Sequence, residues 1–206
     1  MTYEFTNDWF DANARSTWDN HLFATFVPRK ILEIGSYEGA SACYLIEKFG
    51  KEEDGVEIHC IDTWAGGEDN TSQGDDMPAV EERFDRNMTN ATHSPKVDVF
   101  KIKAMSDVAL SRLMADGHAG TFDFVYVDGS HQAQDVLSDA VLAYQLVRPG
   151  GVIAFDDYLW NAYTTYGKDP LRAPKVAIDT FTNVFARSTE VLSYPSLSQL
   201  YVRKNQ

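Results

Sequence analysis

Short apolar runs closed by turn residues recur along the chain, and stretches with helical spacing of apolar residues lie between them. Near-continuous apolarity over a few residues marks a strand buried on both faces, so strands are predicted at Lys30 to Ile34, Glu57 to Asp62, Val97 to Ile102, Phe122 to Val127 and Gly151 to Phe155. Helices are predicted near Ser41 to Phe49, Pro78 to Met88, Asp107 to Asp116 and Gln134 to Val147. The last carries Val136, Leu137, Ala140, Val141, Tyr144 and Val147 at three- and four-residue spacing and is stopped by Arg148-Pro149-Gly150-Gly151. After Pro174 come a helix, Lys175 to Phe185, and two short runs, Glu190 to Ser193 and Gln199 to Arg203, whose link is too short to hold a crossover helix. The pattern predicts an α/β, doubly wound, mostly parallel seven-stranded sheet with a C-terminal antiparallel hairpin.

Composition narrows the setting. With 206 residues and 44% hydrophobic content the chain supports one well-buried core, so residues 1–206 are read as one domain, with 1–29 a helical N-terminal segment. Residues 64–76, polar, acidic and glycine-containing, are read as a lid loop after the second strand. A net charge of −13 repels a phosphate backbone, so no nucleic-acid partner is expected. Nothing approaches the ~18 consecutive apolar residues of a membrane span, and the first residues lack a leader pattern; no membrane partner and a cytoplasmic location are expected. Cys43 and Cys60 are read as buried free thiols.

The stretch Ile31 to Ser41 (ILEIGSYEGAS) runs from a predicted strand through a glycine turn into a helix. A dinucleotide fingerprint would need glycine at 33, 35 and 38, and the chain has Glu33, Gly35 and Glu38, so a nicotinamide oxidoreductase is disfavoured. Carboxylates in such a loop suit a cationic ligand. S-adenosylmethionine, with an ammonium, a sulfonium and no phosphate, is the leading cofactor. The plainer reading keeps Gly35 and Gly39 as turn residues with positive φ and Glu38 as an acid in a first helical turn.

In open α/β sheets ligands sit beyond the carboxyl ends of the strands, and acids gather there. Asp62 closes the second predicted strand, where an acid can accept from ribose hydroxyls, or simply cap a loop. Asp128, Asp156 and Asp157 close the fourth and fifth. Neighbouring strands are only ~4.8 Å apart, so these carboxylates repel one another, and oxygen-only ligands point to Mg²⁺ or Mn²⁺ rather than zinc. The alternative is one protonated acid and another acting as a cap. His131, three residues after Asp128, is a candidate general base, or a structural histidine.

Glu33-Ile-Gly35-Ser-Tyr37-Glu-Gly39-Ala-Ser41 resembles the first motif of the class I S-adenosylmethionine-dependent methyltransferases, and within them the cation-dependent O-methyltransferases of the catechol O-methyltransferase type. Asp128-Gly-Ser-His131 is similar to their fourth motif, and Pro149 to Tyr158 to their fifth, closest to a bacterial branch that methylates sugars and natural products. The resemblance spans residues 30 to 158 and implies a Rossmann-like fold. It implies that Glu33, Gly35, Ser36, Tyr37, Gly39 and Ser41 surround the methionine part of the cofactor. Asp62, Thr63 and Trp64 would hold the ribose, and Ala104, Met105, Ser106, Gly129 and His131 would line the rest. It also implies that Asp128, Asp156 and Asp157 bind the cation, with Asp128 facing cofactor and substrate. The family carries lysine at the base position where this chain has His131, so His131 or Asp128 removes the proton. A small hydroxylated molecule or sugar is the expected acceptor. Metal-independent transfer and a non-catalytic S-adenosylmethionine-binding protein are the rivals. Trp64, Tyr158, Trp160, Tyr163 and Tyr166 form either an aromatic acceptor wall or core and interface, and a homo-oligomer is left open.

Overall fold

The computed structural model describes residues 2–51, 53–67, 70, 74–165, 167–196 and 198–205. Five strands form the parallel part of the sheet: β1 (Lys30–Ile34), β2 (Val56–Asp62), β3 (Val97–Lys103), β4 (Phe122–Val127) and β5 (Val147–Phe155). Two 2-residue strands, β6 (Tyr163–Thr164) and β7 (Gly167–Lys168), make a separate small hairpin. β8 (Thr189–Leu192) and β9 (Leu200–Lys204) pair antiparallel, and β9 lies antiparallel to β5. The seven-stranded order is β3-β2-β1-β4-β5-β9-β8, the expected doubly wound sheet with its closing hairpin.

Alternation along β1 divides the core. Ile31 joins the layer formed by α1 (Ala40–Phe49), α2 (Met77–Ala91) and Trp18, Leu22 and Phe23 of the N-terminal segment. Leu32 and Ile34 join the layer formed by α3 (Ser106–Ala115), α4 (Ala133–Leu146) and α5 (Pro174–Val184). Because β1 is covered on both faces, its sequence shows no polar alternation. Residues 9–25 are helical, with π-helical turns at Asp11–Arg15 and Trp18–Leu22. Cys43 and Cys60 are buried free thiols, and among the described residues no helix is long and apolar enough to cross a membrane.

Two local patterns depart from expectation. β5 begins at Val147, not Gly151, because the Pro-Gly-Gly stretch lies within the strand as an irregularity: Phe122 pairs with Val147 and Phe124 with Val152. Gly151 permits it, since a Cβ there would lie 2.8 Å from the Asp123 carbonyl oxygen. The β6–β7 hairpin was also not foreseen; its strands are too short to leave a periodic signal.

Asp139 sits on the buried face of α4, and its Oδ1 has no hydrogen-bond partner among the described residues. Burial pushes its carboxyl up to about 7; the Ser106 hydroxyl opposes this, and the charges of Asp135 and Asp107 add to it. The folded chain thus holds this proton more tightly than the unfolded chain. The resulting stabilisation is complete below the ordinary carboxylate pKa and is lost as pH rises through about 7. At about 1.4 kcal/mol per unit of pKa, the penalty at alkaline pH is at most about 4 kcal/mol. Asp139→Asn should therefore gain stability relative to the unsubstituted protein between pH 5 and pH 8 in urea melts. An unchanged difference across that range would contradict the assignment.

Candidate active site

The hydrogen-bond ladder continues past the strand ends and sets four loops side by side. Gly35 N–H donates to the Ile61 carbonyl at 2.8 Å, Asp128 N–H to Ile34 at 2.8 Å, Asp156 N–H to Val127 at 2.9 Å, and Ala104 N–H to Asp62 at 3.0 Å. Between β1 and β4 the chain connections diverge, which opens the crevice where α/β sheets bind ligands. Gly35 has φ +87°, and a Cβ there would lie 2.0 Å from the Asp128 carbonyl oxygen, so no other residue lets these two loops touch. Gly39 also has positive φ, but its closest neighbour is the mobile end of Met88 at 2.8 Å.

The first-motif acids turn inward. Glu33 is fully buried and accepts from Ser36 Oγ at 2.5 Å and from Ser41 Oγ; burial raises its pKa against the pull of both hydroxyls. Glu38 is buried too, and takes Arg83 Nε at 2.5 Å, Thr6 N–H at 2.7 Å and Thr6 Oγ1 at 2.8 Å. The expectation that Glu38 offers charge to a cationic ligand is corrected: an arginine already neutralises it. Asp62 accepts from Tyr37 N–H at 2.9 Å through Oδ2 and from Trp64 N–H at 2.7 Å through Oδ1, which leaves each oxygen a further lone pair. Thr63 Oγ1 accepts from Ala65 N–H at 3.1 Å. On the neighbouring loop Met105 is exposed and Ser106 opens α3.

At β4 and β5 the acids meet without a Lys or Arg side chain among the described residues paired to them. Asp128 is half-buried, and its pKa stands well above the usual carboxylate range, through desolvation first and then the charges of Asp156 and Asp157. Burial and the Asp157 charge also raise Asp156, to about 6. Tyr126 OH donates to Asp156 Oδ2, and Asp157 N–H to Asp156 Oδ1 at 2.8 Å. His131 Nε2 lies 2.9 Å from Asp157 Oδ2, and its ring packs on Trp160 with centroids 4.0 Å apart. Gly129 and Ser130 complete the floor of a small cleft between these groups.

A family model described as a methyltransferase domain matches residues 32–158, which takes in this whole rim. The chain belongs to that family. Among curated proteins, this methyltransferase domain is similar to uncharacterized protein R132 of Acanthamoeba polyphaga mimivirus, 33% identical over 129 residues, covering 62% of this chain and 50% of that protein. The probable caffeoyl-CoA O-methyltransferase 3 of Dictyostelium discoideum is 24% identical over 172 residues, covering 80% and 61%. The chain thus spans 50% to 61% of the length of these relatives. Solved structures include the O-methyltransferase TomG from Streptomyces achromogenes in complex with SAM, with a TM-score of 0.65 at 21% identity, covering 94% of this chain and 81% of that one. An O-methyltransferase from Bacillus cereus in complex with SAH gives 0.63 at 18%, covering 93% and 80%. The motif-based resemblance to class I methyltransferases holds for family and fold.

In this methyltransferase domain, the expected three-aspartate ligand set is not preassembled: no group of three His, Cys, Asp or Glu among the described residues is arranged to hold a metal ion. Asp156 turns to Tyr126, and Asp157 to His131. The donor chemistry still fits a hard divalent cation. The three are carboxylates, mutually repelling, and no Lys or Arg among the described residues is ion-paired with them. The expected aromatic wall divides. Trp64 is buried against Phe84 and Tyr158 is tied to Asp179, while Trp160 covers His131 and Tyr163 is exposed. Tyr166 lies outside the described residues, as do Glu68, Asp69 and Thr71 to Gln73 of the lid loop.

Thr6, Arg83, Tyr126 and Gln199 were missed in the sequence. Only Tyr126 carried a signal there, since strand alternation places it on the same face as Asp128. The close approach at Gly35 makes a direct prediction. Gly35→Ala should destabilise by more than about 3 kcal/mol or prevent folding, and Gly39→Ala, whose neighbour can yield, by about 1 kcal/mol. Melting curves showing equal losses would contradict the backbone contact as the cause.

Proposed function

We propose that this domain transfers the methyl group of S-adenosylmethionine to a hydroxyl oxygen of a small molecule or sugar, with a divalent cation at the acid rim. The observation that carries it is the His131–Asp157 pair, 2.9 Å apart, at the same sheet end as the Gly35 loop. Ser36, Tyr37, Gly39 and Ser41 would face the methionine part of the cofactor, Asp62 and Thr63 the ribose, and Ala104, Met105 and Ser106 the adenine. Both oxygens of Asp62 retain an acceptor site for that purpose.

The chemistry assigned to the chain's own groups is proton removal and alignment. With Nε2–H donating to Asp157, the imidazole lone pair lies on Nδ1, which takes the acceptor's hydroxyl proton. Trp160 holds the ring plane. The acceptor oxygen forms its bond to the methyl carbon as the carbon–sulfur bond breaks, and the pair of electrons stays on sulfur as a neutral thioether. Positioning supplies much of the rate. Asp128, Asp156 and Asp157 would hold Mg²⁺ or Mn²⁺, whose charge would lower the energy of the acceptor's oxyanion. Asp157 keeps Oδ1 for that role while Oδ2 holds His131.

A metal-independent reading is favoured by one observation: His131, Asp157 and Trp160 are assembled, whereas the ligand set is not. Incubation with EDTA before assay separates the two, since only the cation-assisted enzyme loses turnover. His131→Ala should lower kcat by roughly 10²–10⁴-fold, far more than it weakens S-adenosylmethionine binding. A protein that binds no S-adenosylmethionine by calorimetry, and methylates nothing in a screen of hydroxylated acceptors with labelled cofactor, would refute the proposal.

A further inference from the structure

A buried chain of hydrogen bonds runs from the N-terminal helical segment to the acid rim. Trp18 Nε1–H donates to Gln199 Oε1 at 2.9 Å, and the Tyr201 hydroxyl donates to the same oxygen. An indole nitrogen can only donate, so it fixes which end of the Gln199 amide faces it. The amide nitrogen is thereby turned to Tyr126, whose oxygen accepts at 3.4 Å. An amide NH₂ can also only donate, so the single phenolic proton of Tyr126 is directed onward to the acid rim, where Asp156 Oδ2 accepts it and Asp128 also lies within its reach. The polarity of the whole chain is therefore set by one donor at its far end.

The setting makes this polarity consequential. Trp18, Tyr126 and Tyr201 are at most 1% exposed and Gln199 is 4% exposed, so solvent does not substitute for a missing link. Trp18 stacks edge-on against Tyr126 with centroids 5.0 Å apart, which fixes the phenol ring as well as its proton. The Asp157 N–H holds the other oxygen of Asp156 at 2.8 Å. Asp156 is thus clamped at both oxygens, by groups that reach it from the sheet interior and from its own loop.

We propose that Trp18, Gln199 and Tyr126 form a one-way hydrogen-bond relay that positions Asp156 for cation binding and makes the N-terminal helical segment part of the site. This rests on the cation-assisted reading above. Tyr126 and Gln199 are positioning residues: they touch the carboxylate or one another, not the reacting atoms. Groups that orient a ligand of a metal typically change its affinity by about 10–100-fold when removed.

The test titrates the full chain with Mg²⁺ alone by calorimetry, in the unsubstituted protein, Tyr126→Phe and Gln199→Met. The relay predicts a loss of Mg²⁺ affinity of about 10–100-fold in both variants, with S-adenosylmethionine affinity retained. The two substitutions break different links, so either one suffices if the other fails to fold. Unaltered Mg²⁺ affinity in the variants would overturn the relay alone. Equal losses of Mg²⁺ and S-adenosylmethionine affinity would make the two residues merely structural and overturn it as well. Absence of Mg²⁺ binding by the unsubstituted protein would overturn the cation-assisted reading itself, and the relay with it.

Discussion

Burial of carboxylates at one end of the sheet is the constraint around which the molecule is organised. Removing an ionised carboxylate from water costs several kcal/mol unless donors replace the solvent or the group takes a proton. Each rim acid meets this differently. Glu33 has two serine hydroxyls, Glu38 an arginine and a threonine, Asp62 two backbone N–H groups, and Asp156 a phenol and a backbone N–H. These donors come from separate parts of the chain. Satisfying the acids therefore ties the N-terminal residues, the first turn, α2 and the sheet interior to one place.

The same bonds hold the backbone in conformations it would not adopt alone. Tyr37, Trp64 and Asp157 are the non-glycine residues with positive φ among those described, at 46°, 46° and 54°. In all three the N–H donates to a rim aspartate: Asp62 for the first two, Asp156 for the third. Charge-assisted bonds of this kind are roughly twice as strong as neutral ones, enough to offset about 1 kcal/mol or more of local strain. Asp62 thus joins the loops after β1 and β2. The loops are shaped before any ligand arrives, and catalysis by positioning requires that.

The parallel strands and their helices were legible because period and run length are local properties: β1 and β4 fall where the apolar runs place them, and α4 where its stripe does. The acids of the rim were legible because the topology of an open sheet converts a position at a strand end into a place in space. What the acids do was less legible. Glu33 and Glu38 sit in the same short motif, yet Glu38 is neutralised by Arg83, 45 residues away in sequence, and accepts a hydrogen bond from Thr6. No local pattern reveals such partners. Spacing puts Tyr126 on a strand face and Asp139 on a helix, but it gives the face of a residue and not what its polar atom meets.

Once these internal partners are assigned, the charge available to ligands is confined to a small part of the acidic surface. Glu33 and Glu38 are committed to hydrogen bonds that hold the first turn, so they contribute shape there. Asp128, Asp156 and Asp157 have no Lys or Arg partner among the described residues, and burial and mutual repulsion raise Asp128 and Asp156, so a positive ligand entering their field favours the ionised forms. Under the proposed reading that field acts on two positive species in succession. It would attract the sulfonium of the methyl donor as well as the divalent cation, and the sulfonium's share would vanish when the methyl group leaves and sulfur becomes neutral. On that reading a single group of half-buried acids would distinguish substrate from product by charge. Tyr126 matters for the same reason: its hydrogen bond opposes the upward push of burial on the Asp156 carboxyl.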